Sequence, residues 1–247
     1  MRMRKKKNLT QRMERVKSLL VEDPEKISGS WDSLSSKRPI HLEIGCGKGK
    51  FITETAAADP DNFFVGLEKV ADVLVMAMEK VSQTNLSNVL FIRGDANMLE
   101  NYFSPGEVAK IYLNFSDPWP AKRHQKRRLT SEGFLSIYRK ILAKDGIVCL
   151  KTDNRGLFEF SIEELKRCGW RIENITFDLH GSNQQDSKPQ EQTDINSVES
   201  PKAYQPIFNP AGGAVTEYEQ RFASMGIPIC RLEAFPPDTD IHTGLEK

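Results

Sequence analysis

The chain has 247 residues, 38% hydrophobic and 28% charged, with 35 Lys/Arg against 34 Asp/Glu and a net charge of +1. At about 150 residues per domain this reads as one large domain with appendages, long enough to bury a substantial core without disulfide staples. No apolar run approaches the ~20 residues that span a bilayer, and no apolar stretch follows the basic start Met1–Lys7 as it would in a secretory signal. These features exclude a membrane protein, a secreted mini-protein and a wholly disordered chain.

The four cysteines (Cys46, Cys149, Cys168, Cys230) form no C-x-x-C pair and read as reduced, packed thiols of a cytoplasmic protein. The four histidines are equally dispersed, without H-E-x-x-H or a Cys/His cluster, so no metal site is expected. Charge is distributed unevenly. Residues 1–17 carry eight Lys/Arg against Glu14 alone, and Lys122-Arg123-His124-Gln125-Lys126-Arg127-Arg128 carries five positive charges and no acid. Two basic patches on a near-neutral chain suggest a polyanion docking face; a solvated tail explains the first equally well.

In chain order, the basic residues 1–38 form an arm with an amphipathic helical pattern over 9–21 and a Ser-rich linker. From Pro39 to residue 247 strands and helices alternate. Strands are predicted over 40–44, 63–67, 89–92, 110–115, 147–151 and near 229–232. Helices are predicted over 51–58, 70–81, 134–142, 157–167 and 216–224. The apolar positions 70, 73, 74, 77, 78 and 81 fall on one helical face. Such alternation indicates βαβ units and a parallel sheet covered on both faces. Residues 181–214, rich in Gln, Ser, Pro and Asn, break the pattern and read as a flexible insertion.

The first strand runs into Glu43-Ile44-Gly45-Cys46-Gly47-Lys48-Gly49. Glycines just beyond a strand's carboxyl end allow positive φ and close backbone approach by a ligand. A P-loop and a dinucleotide fingerprint both require Gly where Lys50 stands. The remaining spacing, E-x-G-x-G-x-G, resembles that of class I S-adenosylmethionine-dependent methyltransferases. Glu68 and Asp95 end the next two strands, where carboxylates can accept bonds from ribose hydroxyls and an adenine amine. A lone acid at a strand end is ordinarily a helix cap; three beside a glycine loop favour a ligand.

The apolar strand Ile111-Tyr112-Leu113 leads into Asn114-Phe115-Ser116-Asp117-Pro118-Trp119-Pro120 and then the second basic run. The prolines hold the turn extended and remove donors, and Trp119 offers a face on which a base can stack. These runs, with Lys151-Thr152-Asp153-Asn154-Arg155-Gly156 and Thr216-Glu217-Tyr218-Glu219, strongly resemble the bacterial tRNA (guanine-N7-)-methyltransferase family over about residues 40–234.

The resemblance implies a Rossmann-like class I methyltransferase fold, a mostly parallel seven-stranded sheet with helices on both faces. It implies methyl transfer from S-adenosylmethionine to the guanosine at position 46 in the tRNA variable loop, without a metal. Glu43, Gly45, Gly47, Glu68, Asp95 and Asp117 would contact the cofactor, with Asp117 also catalytic. Asp153, Thr216, Glu217, Tyr218 and Glu219 would bind substrate; the charge run itself, rather than the resemblance, suggests that Lys122, Arg123, Lys126, Arg127 and Arg128 meet the tRNA backbone. On the residues alone, T-x-x-E is better read as a helix capping box, Asp153-Asn154 fits a helix entry, and Lys151 a snorkelling strand residue. Two departures stand out: Ala121 occupies a position commonly Lys in the family, followed here by Lys122 and Arg123, and the segment between His180 and Thr216 is longer than usual.

Overall fold

Eight strands form a single sheet in the computed structural model, which describes residues 8–180 and 216–237. They are β1 Leu20–Val21, β2 Ile40–Ile44, β3 Phe63–Glu68, β4 Val89–Arg93, β5 Val108–Asn114, β6 Leu142–Thr152, β7 Arg171–Thr176 and β8 Cys230–Phe235. The helices are α1 Leu9–Arg15, α2 Asp32–Ser35, α3 Lys50–Ala58, α4 Ala71–Ser82, α5 Leu99–Tyr102, α6 Glu132–Ile141, α7 Arg155–Arg167 and α8 Glu217–Ser224. Strand order is β1-β4-β3-β2-β5-β6-β8-β7. All neighbours are parallel except β8, which runs antiparallel to both β6 and β7.

Because side chains alternate across a strand, the central strands feed two cores. Ile40, Leu42, Ile44, Phe63, Val65 and Leu67 join one with α5, α6 and α7. Phe64 and Phe91 join the other with α3 and α4, where Leu74, Val75, Ala77, Met78 and Val81 form the buried stripe. The apolar strand runs form where expected because each is buried on both faces.

The N-terminal expectations need correction. The predicted helix over 9–21 ends at Arg15, and Leu20–Val21 instead add an eighth strand pairing parallel with Phe91 and Ile92. The sheet therefore has eight strands rather than seven. Val16 is buried in the core beside α4, to which Arg12 is tied through a two-pronged ion pair with Glu79. Trp31, in the expected linker, is completely buried, stacks on Phe103 at 4.9 Å and donates from Nε1 to the Tyr102 carbonyl at 2.8 Å. Residues 16–31 thus belong to the same packed unit as the sheet. The strand Arg171–Thr176 lacked a clear sequence signal because its faces are largely exposed or half-buried. The predicted insertion 181–214 lies outside the described residues, among which no helix is long and apolar enough to cross a membrane.

Candidate active site

Parallel pairing brings the carboxyl ends of β2, β3, β4, β5 and β6 to one edge, the edge at which open α/β sheets bind ligands. The loop from β2 to α3 passes through left-handed glycines at Gly45, Gly47 and Gly49. A Cβ at Gly49 would sit 2.6 Å from the Ala77 methyl, so only glycine lets α3 pack this closely on α4. A Cβ at Gly45 would meet nothing within 4 Å: the space beside that backbone is open.

Three acids surround the loop. Glu43 is 3% exposed; its Oε1 accepts from Asn114 Nδ2 at 3.0 Å, while Oε2 is buried without a hydrogen-bond partner. Burial pushes its carboxyl up to about 7, against the Asn114 bond that pulls it down. Glu68 braces the loop, accepting from the Gly47 amide at 3.2 Å and the Val70 amide at 2.9 Å. Asp95 accepts from Lys69 Nζ at 2.7 Å and from the Asn97 amide at 2.9 Å, and these bonds hold its carboxyl at about 2.

Two cavities meet at Gly45. The larger, about 570 Å³, lies along Glu68, Asp95, Asn97, Trp119, Arg127 and Phe134. The smaller, about 90 Å³, lies between the loop and α8, against Glu43, Asn114, Phe115 and Tyr218. Glu43, Gly45, Gly47, Glu68 and Asp95 are therefore brought together. Asp117 is not: it sits on an exposed turn beyond β5 and lines neither cavity. The flanking Phe115 and Trp119 have φ of 51° and 40°, values a side chain rarely adopts, so the turn around Asp117 is strained.

The basic run forms a short 3₁₀ segment, Lys122–Arg127. Lys122, Arg123, Lys126 and Arg127 are all exposed; Lys126 and Arg127 also border the larger cavity, and Arg127 lies 4.9 Å over the Trp119 ring. Arg128 departs from expectation. It is buried, donates to the carbonyls of Pro118 and Trp119 at 2.9 and 3.2 Å, and lies over Phe160. Its fork is spent on the turn, and it does not face solvent with its neighbours.

Helix α8 opens with the Thr216 half of the expected capping box: Thr216 Oγ1 accepts from the Glu219 amide at 2.8 Å, while the Glu219 carboxylate that would close the box turns to other partners. Glu219 itself is buried, paired with Lys151 at 3.0 Å and His180 at 3.1 Å. Glu217 reaches Lys48 and Lys80, at 3.3 and 3.5 Å, tying α8 to the glycine loop and α4. Tyr218 is 57% exposed and stacks on Phe115 at 6.1 Å. Asp153 is half-buried after β6, and Asn154 caps α7 through the Leu157 amide at 2.8 Å. The partners Lys48, Lys80 and His180 were missed in sequence because their contacts span long separations that no local pattern records. Among the described residues no three potential ligands gather into a metal site.

A glycine loop with acids at successive strand ends, on this sheet order, defines a methyltransferase. The family described as "Putative methyltransferase" matches residues 37–232. The fold is shared with the 16S rRNA methyltransferase KamB (TM-score 0.56, 13% identity, 85% of this chain and 94% of that one). It is also shared with an antibiotic-related methyltransferase (TM-score 0.53, 18% identity, 83% and 92%). In sequence, the tRNA (guanine-N(7)-)-methyltransferase of Lachnoclostridium phytofermentans is 46% identical, covering 87% of this chain and 90% of its own length. That of Geobacillus thermodenitrificans is 41% identical, covering 96% and 98%. The chain belongs to the tRNA (guanine-N(7)-)-methyltransferase family.

Proposed function

We propose that this protein transfers the methyl group of S-adenosyl-L-methionine to N7 of guanine at position 46 in the tRNA variable loop. The observation that carries this reading is the pairing of an open glycine loop with the buried, half-partnered Glu43, in a chain this similar to tRNA (guanine-N(7)-)-methyltransferases. The fit to the donor is chemical. Glu43 offers an unpaired carboxylate oxygen to an ammonium, Glu68 keeps lone pairs for ribose hydroxyls, and Asp95 stands beside the cleft where an adenine amine would lie. When bound, the donor supplies an electrophilic sulfonium methyl.

Guanine N7 carries a lone pair and no proton on the major-groove edge, so no side chain has to remove a proton first. The protein's task is alignment, an effect that can reach about 7–11 kcal/mol. Asp117, on its strained turn, is assigned to orienting the base and stabilising the positive charge that grows on it. Asp153 and the Thr216–Glu219 turn border the substrate side. Tyr218 presents an exposed ring for stacking, while Glu219 acts by holding the turn. Lys122, Arg123, Lys126 and Arg127 contribute phosphate contacts that offset the cost of unstacking the target base. A tRNA substrate makes the cytoplasm the expected compartment.

The test is incubation of unmodified tRNA with methyl-labelled donor, followed by mapping and mass analysis of the labelled nucleoside. N7-methylguanosine in the variable loop is expected; a methyl on an exocyclic amine, or none, would overturn the assignment. Asp117→Asn with full turnover would remove Asp117 from the chemistry.

A further inference from the structure

Glu43 carries a side-chain partner, Asn114, to which the proposed transfer assigns no role. Strands β2 and β5 pair with Glu43 opposite Tyr112. Asn114, two residues further along β5, projects to the same face as Tyr112 because side chains alternate. It thereby reaches Glu43 across the strand pair at 3.0 Å. The position is fixed from the β6 side: Asn114 pairs with Lys151, and the next residue, Phe115, donates its amide to the Lys151 carbonyl at 2.8 Å. Glu43 and Asn114 are both among the residues lining the 90 Å³ cavity, which meets the larger one at Gly45.

We infer that Asn114 is a positioning residue: its amide orients the Glu43 carboxylate so that the free oxygen meets the cationic amino-acid end of the methyl donor. This rests on the proposed donor. With Oε1 held by the amide, Oε2 has no partner in the protein, and a buried carboxylate oxygen left unpaired is costly until a donor arrives. Lys151, the nearby cation that favours ionised Glu43, has its ammonium on Glu219, and Glu68, which disfavours it, is engaged by the loop amides. The Asn114 amide is thus the neutral side chain that fixes the carboxylate's direction without competing for the incoming ammonium, with the Ile52 backbone amide as a weaker neighbour. It also occupies the end of the strand that delivers Asp117, so donor recognition and the substrate turn share one support.

The experiment measures calorimetric binding of two nucleosides. S-adenosylhomocysteine keeps the amino-acid end, and 5′-methylthioadenosine lacks it. Asn114→Ala and the nearly isosteric Asn114→Leu should weaken the first by about tenfold or more, as expected for a missing bond to a charged group, and the second by less than about twofold. Glu43→Gln should show the same selectivity, and adding Asn114→Ala to it should cost nothing further. Equal weakening for both nucleosides, no weakening for either, or additive effects in the double variant would overturn the inference while leaving the donor assignment intact. A wild-type protein that bound neither nucleoside would overturn the donor assignment and the inference with it.

Discussion

Arg128 Nε donates to the carbonyl oxygen of Pro118 at 2.9 Å, ten residues back along the chain. With the second bond, to Trp119, the guanidinium closes the D-P-W-P turn from beneath while Phe160 covers its face. Arg128→Lys should therefore not be conservative, because an ammonium cannot reproduce the fork. Stability should fall by about 1 kcal/mol or more from the lost bonds to these half-buried carbonyls. Methyl transfer should fall with it, while the salt dependence of tRNA binding stays unchanged. Denaturant unfolding and filter binding across salt concentrations check both halves.

Lys122 and Arg123 should behave in the opposite way. Both are exposed, at the start of the same 3₁₀ segment. Replacing them with alanine should leave the unfolding midpoint in place and weaken tRNA binding. It should also flatten the slope of log K against log salt by roughly 0.7–0.9 for each phosphate no longer neutralised. An unchanged slope would remove this end of the segment from the RNA interface.

Glu43 should make the unliganded protein's stability fall with rising pH. Its carboxyl is raised from 4.5 to about 7 by burial, so between these values the folded state keeps a proton that the unfolded chain releases. That stability is fully present below 4.5 and lost as pH rises through about 7. His41, two residues earlier, acts the other way: burial, helped by Lys110, lowers it from 6.5 to about 3, so its contribution is lost as pH falls from 6.5. Glu43→Gln should stabilise the free protein at pH 8 and remove the loss on the alkaline side, leaving the acid side in place. Thermal unfolding from pH 4 to 8 measures this.

Lys151→Met should be among the more damaging single changes. It strips Glu219, whose side chain is 2% exposed, of its closest cation and leaves only His180. Breaking a buried pair on one side costs about 3–5 kcal/mol, whereas replacing both partners costs far less. Lys151→Met with Glu219→Leu should therefore recover part of the stability in a chemical unfolding series, although methyl transfer should remain impaired because α8 loses its anchor.

What the sequence revealed followed from how local the physics was. The central strands and α4 were legible because two-sided burial writes continuous apolar runs or a 3.6-residue stripe, and the glycine loop because Gly49 has no alternative against Ala77. The Thr216 cap was legible for the same reason: both partners lie within one turn. Leu20–Val21 were not, since a two-residue strand has no periodicity and exists only because β4 offers an edge. Trp31 reads as part of a linker because its stacking partner, Phe103, lies far away in the chain. Arg128 reads like its charged neighbours; nothing in K-R-H-Q-K-R-R distinguishes the one guanidinium that folds inward. Asn114 and Asp117 both fall at one strand end in the sequence, but only the fold shows that the first faces Glu43 and the second stands apart on the turn.

His180 and Thr216 bracket residues 181–215, and both are fastened to Glu219, one through its carboxylate and the other through its amide. The chain on either side of this span is thus held at a single staple. A change at Glu219 is therefore felt both where the chain leaves β7 and where it enters α8.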